Sequence, residues 1–261
     1  MDILTPRQKK ILVMARESGK VSVDRLSIKL AVSPQTIRKD INELCAHQLL
    51  RRTHGGAIIG SRVENVSYEA RKILAPDAKI AIGKQAAKLI PNNCALLLNI
   101  GTTTEQVAHF LKSHRGLMVI TNNINAVEIL RRSKGIELVI SGGIVRQSDG
   151  GIIGEAAVDF INQFKADYAV IGVSAIDEDG TLLEYDYREV RIAAAIIANA
   201  RHVILVADQM KFSRTASIRT GHISQVNTLV TDAAPPPRLV KLCRELEISI
   251  VIAPNKGKTN P

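Results

Sequence analysis

The chain has 261 residues, 46% of them hydrophobic, and its 35 Lys and Arg against 25 Asp and Glu give a formal net charge of +10. This composition supplies a packed core and excludes intrinsic disorder, while the longest apolar runs have strand length and are too short for a membrane span. Cys45, Cys94 and Cys243 lack metal-ligand spacing, so we expect no metal site. These scattered cysteines favour a reducing compartment. The amino terminus has no apolar signal core, and we therefore expect the protein to be cytoplasmic.

The positive charge is concentrated near the amino terminus. Residues 1–72 contain 14 Lys and Arg against 7 Asp and Glu. A positive electrostatic field confined to one small region is typical of phosphate binding and favours nucleic acid as a partner. A membrane surface could also attract this charge, but no lipidation signal or Trp anchor accompanies it. Aromatic residues make up only 3% of the chain, which disfavours RNA binding by base stacking.

Residues 21–46 have the pattern of two short helices joined by a tight connector. Ser22 is suited to cap the first helix, which carries Leu26 and Leu30 on its apolar face. Ser33 is suited to cap the second, with Pro34 at the first helical position. Apolar residues then recur at helical spacing: Ile37, Ile41 and Leu44. The pattern predicts a helix-turn-helix, and a small helical bundle with a solvated basic face is the alternative.

The outward face of the second helix predicts DNA recognition. It carries Gln35, Thr36, Arg38 and Lys39. Gln and Arg can contact base edges, Lys and Thr can hold phosphates, and the backbone N–H groups after Ser33 can do the same. Residues 49–58, LLRRTHGGAI, follow as a basic strand, a glycine turn and a return strand. We expect this wing to press Arg51, Arg52 and His54 against the DNA backbone or minor groove.

Short apolar runs alternate with amphipathic segments in the rest of the chain. The predicted strands are Ala95–Asn99, Leu117–Thr121, Glu137–Ser141, Tyr168–Val173, His202–Ala207, Thr228–Thr231 and Ser249–Ile252. The predicted helices are Lys79–Ile90, Thr104–Ser113, Ala126–Arg132, Glu155–Phe164, Glu189–Asn199 and Arg238–Glu245. We therefore expect an α/β fold, with a winged helix-turn-helix followed by a mostly parallel sheet covered by helices. The predicted domain limits are 1–58 for the winged domain, 59–75 for a linker, 76–254 for the α/β domain and 255–261 for a tail.

Loops at the carboxyl ends of parallel strands are where ligands bind, so these loops carry the functional signal. The first, Asn99–Thr104 or NIGTTT, places a glycine and three hydroxyls at the start of a helix, which suits an oxyanion. A capped helix start without a ligand is the alternative, because Ser and Thr are preferred caps. Similar residues follow three more strands: Thr121–Asn123, Ser141–Gly143 and Gly172–Ser174. Charged residues that could hold hydroxyls or a phosphate are Glu184, Asp186, Arg188, Asp208 and Lys211.

Seven segments occur in one order along essentially the whole chain: SPQTIRKDINEL, RTHGGA, NIGTTT, TNN, SGG, GVSAID and ADQMKF. Together they resemble the DeoR family of bacterial transcriptional repressors. The resemblance implies a winged helix-turn-helix joined to an effector domain related in fold to ribose-5-phosphate isomerase, which senses a phosphorylated metabolite. The segments DGGIIGEAAVDFINQF, LLEYDYREVR and TDAAPPP resemble the branch that controls glycerol metabolism, which implies glycerol 3-phosphate as effector.

The resemblance also implies residue roles. Operator contacts would come from Gln35, Thr36, Arg38 and Lys39. The effector phosphate would lie on Gly101, Thr102 and Thr103, next to Thr104. The rest of the pocket would be Asn99, Thr121, Asn122, Gly142, Gly143, Glu184 and Lys211. Lys39 stands where the family commonly has a second Arg, and a point charge there favours a phosphate contact over base readout.

A sugar-phosphate isomerase with an appended DNA-binding domain is the alternative from another class, because a shared fold does not separate sensing from catalysis. Such isomerases need an acid/base carboxylate beside a Lys-Gly-Gly-Gly segment, and residues 182–187 here read LLEYDY. A DNA-architectural protein would leave two thirds of the chain without a task. We therefore expect no enzyme activity and no cofactor, but a homodimeric or homotetrameric repressor of operator DNA, released by a phosphorylated effector.

Overall fold

A computed structural model describes residues 4–18, 20–47, 49–59 and 67–254. The chain forms two compact units, Met1–Leu74 and Ala75–Pro261. Much of the predicted linker, residues 60–66, and the predicted tail, residues 255–261, lie outside the described residues. In the described part, no helix combines the length and apolar character needed to cross a membrane. The same part contains no cluster of side chains suited to a metal ion.

The first unit has the elements of a winged helix-turn-helix. They are α1 (Pro6–Ser18), β1 (Lys20–Ser22), α2 (Val23–Leu30), α3 (Pro34–Ala46), β2 (Leu50–Thr53), β3 (Gly56–Ile59) and α4 (Tyr68–Ile73). The predicted caps are confirmed, because Ser22 accepts a hydrogen bond from Arg25 N and Ser33 accepts one from Thr36 N. Helix α4 occupies part of the stretch predicted as linker, so that part is regular structure. The predicted domain limits remain a prediction.

The core of this unit follows the predicted pattern. Ile37, Ile41 and Leu44 are buried on α3, and Leu26 is buried on α2, whereas Leu30 is only half-buried. The wing is confirmed as part of an antiparallel sheet of order β1-β3-β2. A Cβ at position 56 would lie 2.0 Å from the carbonyl oxygen of Val21. Only glycine at this position lets β3 pair so closely with β1.

The second unit begins with α5 and continues as alternating strands and helices. Its helices are α5 (Pro76–Lys88), α6 (Thr102–Leu111), α7 (Ile124–Leu130), α8 (Glu155–Ile161), α9 (Tyr187–Ala198) and α10 (Pro237–Glu245). The strands of its main sheet are β4 (Ala95–Leu98), β5 (Leu117–Thr121), β6 (Ile136–Ile140), β9 (Ala166–Gly172), β12 (Ala200–Val206), β14 (Thr228–Thr231) and β15 (Ser249–Ile252). The remaining strands are β7 (Ile144–Arg146), β8 (Gly151–Ile153), β10 (Ala175–Ile176), β11 (Thr181–Glu184) and β13 (Ile218–His222).

The seven main strands form a parallel sheet of order β15-β14-β12-β9-β4-β5-β6. This confirms the predicted α/β class and the seven predicted strands, of which three have the predicted bounds and four differ from them by a residue or two. The hairpin β7–β8 and the small antiparallel sheet β10-β11-β13 were not predicted. Their strands are short, and a run of two to five residues shows no usable periodicity.

Apolar layers cover both faces of the parallel sheet. On one face, Ile82 of α5 and Val107 of α6 pack against Leu96 and Leu98. On the other, Ile152 of β8, with residues of α8, α9 and α10, belongs to the core that contains Leu97 and Ile120. After β4, the chain adds β5 and β6 on one side of this strand, and it then adds β9 on the other side. This reversal makes the carboxyl ends of β4 and β9 the topological switch point, where such folds bind ligands.

Candidate functional site

Helix α3 presents a polar face suited to a DNA groove. Gln35, Arg38 and Lys39 are exposed, and none of them makes a hydrogen bond or ion pair with the described residues. Thr36 differs, because it is half-buried and its hydroxyl lies 2.8 Å from the capping Ser33 Oγ. The geometry therefore favours Gln35, Arg38 and Lys39 as DNA contacts and gives Thr36 and Ser33 a capping role.

Helix α1, which was not predicted, fixes the orientation of α3. Arg7 donates two hydrogen bonds to the buried carboxylate of Asp40, at 2.5 and 3.2 Å. One position along, Gln8 Nε2 donates to Glu43 Oε2 at 2.5 Å. These partners lie more than 30 residues apart in sequence, so local patterns did not reveal them. They lock the helix that carries Arg38 against rotation.

The wing carries exposed basic residues on both of its faces. Arg51 pairs with Ile58 and Arg52 pairs with Ala57, so the two arginines are adjacent on β2. Adjacent side chains on a strand point to opposite faces. Arg51 and Arg52 therefore project from opposite faces of the wing, and their contact with the DNA backbone or minor groove stays a prediction. His54 lies at the exposed turn of the wing.

In the second unit, α6 begins without a side-chain cap. Its N-cap is Gly101, with φ of +142°, a conformation that favours glycine. The first N–H groups of a helix have no partner within it and attract anions. Thr102 and Thr103 follow, and neither hydroxyl has a partner among the described residues. Thr104, also predicted as an effector contact, is fully buried, and its hydroxyl donates to Gly101 O at 2.8 Å, closing the first turn.

Thr121, predicted as an effector ligand, has a structural role. Its hydroxyl donates to Leu98 O at 2.6 Å and accepts from Asn123 N at 3.1 Å. The side chain is fully buried between β4 and β5. Its hydroxyl is therefore engaged with backbone groups, and sequence alone could not reveal those partners.

Thr121→Val should accordingly lower the free energy of unfolding by about 1.5 kcal/mol, because it leaves a buried N–H and C=O unpaired at nearly unchanged volume. Binding of small ligands should stay within about twofold of the wild type, a difference below about 0.5 kcal/mol. Urea denaturation and calorimetric titration measure the two effects. A large loss of ligand affinity with unchanged stability would restore Thr121 to the site.

Neighbouring strand ends carry buried polar atoms without partners. Asn99 and Asn122 are each 1% exposed and Ser141 is 3% exposed. Asn99 Nδ2, Asn122 Oδ1 and Ser141 Oγ have no hydrogen-bond partner in the described part of the chain. Such atoms are rare in folded proteins and are a sign of a bound water or a ligand. They lie at the carboxyl edge of the sheet, where the predicted loops converge.

Gly142 and Gly143 are exposed and connect β6 to the hairpin β7–β8. Gly143 has φ of +136°, and a Cβ there would lie 2.8 Å from Ile153 O. Its glycine is thus required for packing of the hairpin. Among the described residues, apart from its two chain neighbours, no atom lies within 4 Å of a Cβ built at position 142, so Gly142 faces open space.

Glu184 and Lys211 lie on other elements of the second unit. Glu184 ends β11 and is 4% exposed, and Ser174 Oγ donates to its Oε2 at 2.6 Å. Lys211 is half-buried in a 3-10 turn that Asp208 caps. Asp208 thus has a capping role. An open groove lies at the amino ends of the parallel strands, away from the predicted loops, and is lined by residues that include Lys134, Glu137 and Asp167. Because these residues carry mixed charges, they give no reason to place a phosphate there.

Arg146, which was not predicted, organises the charged residues near α9. Its guanidinium bonds to Asp149, Asp186 and Glu189 at 2.7–2.9 Å, with only 12% of its side chain exposed. Burial lowers the pKa of Arg146, but its bonds to Asp149 and the charge of Glu189 outweigh burial and raise the pKa overall. Arg188 also bonds to Asp186. Asp186 and Arg188 are therefore parts of an ionic network, and a ligand contact by either of them stays a prediction.

A winged helix-turn-helix followed by a parallel α/β unit defines a transcriptional regulator that carries its own sensor domain. The family model described as "DeoR-like helix-turn-helix domain" matches residues 7–63. The one described as "DeoR C terminal sensor domain" matches residues 75–233. The chain belongs to the DeoR family.

The relatives cover nearly the whole chain. A glycerol-3-phosphate regulon repressor of Haemophilus influenzae is 45% identical over 96% of this chain and 97% of its own length. Its Escherichia coli counterpart is 43% identical over 94% and 98%. The HTH-type transcriptional repressor CsqR of Escherichia coli is 37% identical over 95% of each chain. Among solved structures, a ribose 5-phosphate isomerase from Methanocaldococcus jannaschii aligns with a TM-score of 0.39 and 16% identity over 52% of this chain and 54% of its own.

Proposed function

We propose that this protein represses genes of glycerol 3-phosphate use and leaves its operator when glycerol 3-phosphate binds the second unit. The observation that carries the proposal is the uncapped start of α6 at Gly101, beside buried polar groups without partners. Free N–H groups at a helix start suit a phosphate dianion. The 43–45% identity to glycerol-3-phosphate regulon repressors supports this choice of metabolite.

We assign each unit its ligand by charge and geometry. Arg38 and Gln35 would read base edges, while Lys39 and an arginine of the wing would hold phosphates. Thr102 and Thr103 would complete the shell of the effector phosphate through their hydroxyls. Asn99, Asn122, Gly142, Glu184 and Lys211 stay in the proposed pocket, whereas Thr104 and Thr121 are removed from it.

The proposed site binds its ligand without converting it. Glu184, the buried carboxylate of LLEYDY, already accepts a hydrogen bond from Ser174, and no Lys-Gly-Gly-Gly segment accompanies it in the sequence. We propose a cytoplasmic homodimer or homotetramer, because paired winged domains can span two half-sites of an operator. Incubation of the purified protein with sugar phosphates tests the assignment, and turnover would favour an isomerase instead.

Glycerol 3-phosphate should weaken operator binding by about 5- to 150-fold, the usual range of coupling between two sites. The operator is a duplex that the full-length protein selects from a random pool, and fluorescence anisotropy gives its affinity with and without the metabolite. By linkage, the operator must weaken metabolite binding by the same factor. Glycerol and inorganic phosphate are the controls. Unchanged operator affinity at saturating metabolite would reject glycerol 3-phosphate as inducer.

A further inference from the structure

Three side chains form a row across adjacent parallel strands, here called the polar row: Asn99, Asn122 and Ser141. The last paired residues of β4, β5 and β6 are in register as Leu98, Thr121 and Ile140. Each member of the polar row comes one residue later. Side chains at equivalent positions of parallel strands point to the same face of a sheet. The three unpartnered polar atoms therefore face one side, the side covered by the hairpin β7–β8.

Backbone partners fix which amide atom each asparagine leaves free. Asn99 Oδ1 accepts the N–H of Ile100 at 2.8 Å, so the free atom is its Nδ2, a donor. Asn122 Nδ2 donates to Ile152 O at 3.1 Å, so the free atom is its Oδ1, an acceptor. Reversing either amide would set two donors or two acceptors against each other. The polar row thus presents a donor beside an acceptor.

We infer that the polar row recognises a ligand hydroxyl that accepts from Asn99 and donates to Asn122. Among common ligand groups, a hydroxyl offers both functions at one atom, whereas a ketone oxygen can only accept. Adjacent strands lie about 4.8 Å apart, and an oxygen with two hydrogen bonds of about 2.8 Å in tetrahedral geometry spans about 4.6 Å. Ser141 Oγ, next in the row, adds a contact for a second hydroxyl.

This inference rests on the proposed function and makes it specific. With the phosphate at the start of α6, the polar row would select a phosphorylated polyol with a hydroxyl on the carbon next to the phosphate-bearing one. A phosphorylated ketone of the same size would leave Asn122 Oδ1 unpaired. A buried polar group without a partner costs enough to separate the two ligands clearly.

The test is calorimetric titration of the full-length wild type with three ligands that share a phosphate and a primary hydroxyl. They are sn-glycerol 3-phosphate, dihydroxyacetone phosphate and 3-hydroxypropyl phosphate. The second and third should bind about tenfold more weakly or worse. Equal binding of all three overturns the inference, with water then satisfying the polar row, and leaves the proposed function intact. Failure of all three to bind rejects the proposed effector and the inference together.

A matched pair of variants tests whether Asn99 Nδ2 donates a hydrogen bond to the ligand. Asn99→Asp keeps the acceptor for Ile100 N and replaces the free Nδ2 by oxygen, and should weaken glycerol 3-phosphate binding by about tenfold or more. Asn123→Asp makes the same change one residue after Asn122, outside the polar row, and keeps the oxygen that caps α7. It should bind within about threefold of wild type. Equal losses in both would trace the effect to charge and overturn the donor role. If Asn99→Asp fails to fold by circular dichroism, the ligand series decides.

Discussion

Arg146→Met should lower the free energy of unfolding of the second unit by about 3 kcal/mol, the size expected when one partner of a buried ionic network is removed. The variant leaves Asp149, Asp186 and Glu189 close together with 6%, 20% and 12% of their side chains exposed. Methionine keeps much of the volume of arginine, so the loss reports the missing charge and its hydrogen bonds. Urea unfolding followed by circular dichroism at neutral pH measures it.

Arg188→Met is the matched control for this variant. Arg188 also bonds to Asp186, but half of its side chain is exposed, and exposed ion pairs contribute little. Its replacement should change stability far less than that of Arg146. Equal losses from the two variants would contradict a network centred on Arg146.

The loss in Arg146→Met should also shrink in acid. Hydrogen bonds from Arg188 and Arg146 hold the pKa of Asp186 well below its ordinary value, despite partial burial. A carboxyl group with a lowered pKa stabilises the fold above its unfolded pKa of about 3.9, and this contribution disappears as pH falls toward the folded pKa. The difference between wild type and variant should therefore be largest near neutral pH and fall below about pH 4. A constant difference would exclude Asp186 from the effect.

Local signals explain what the sequence predicted correctly. The caps Ser22 and Ser33 act on N–H groups three residues away, and strand β4 is a continuous apolar run. The loop that contains Gly101 comes directly after β4, so the prediction of this strand was enough to place the loop at the carboxyl end of the sheet. These features depend on neighbours in sequence and can be read from it.

Long-range partners explain what was missed. Arg146 meets Asp186 and Glu189 at separations of 40 and 43 residues, across a hairpin too short to show a strand pattern. In sequence, Thr104 and Thr121 cannot be distinguished from Thr102 and Thr103, because all four lie at or shortly after the end of a strand. Only the structure shows that their hydroxyls are engaged with backbone groups.

Arg38→Ala and Lys39→Ala should separate base reading from phosphate binding, because these neighbours on α3 are both exposed and differ in chemistry. Arg38→Ala should cost about 1 to 3 kcal/mol on the selected operator and relax preference at one base pair. Lys39→Ala should weaken operator and unrelated duplex equally and reduce the salt slope by about one. Anisotropy titrations over a range of salt concentrations measure both. If Arg38→Ala weakens both duplexes equally, Arg38 binds backbone and another residue reads the bases.

Thr102→Ala is the reciprocal variant, since it changes only the second unit. Its operator affinity without ligand should match the wild type, while more glycerol 3-phosphate should be needed for release. The lost hydroxyl contributes roughly one charge-assisted hydrogen bond, so the metabolite affinity should fall by about 1.5 to 3 kcal/mol. Arg38→Ala, in contrast, should bind the metabolite normally. Because the two units bind different ligands, each variant should impair one affinity and spare the other. Normal metabolite affinity in Thr102→Ala would move the phosphate away from the start of α6.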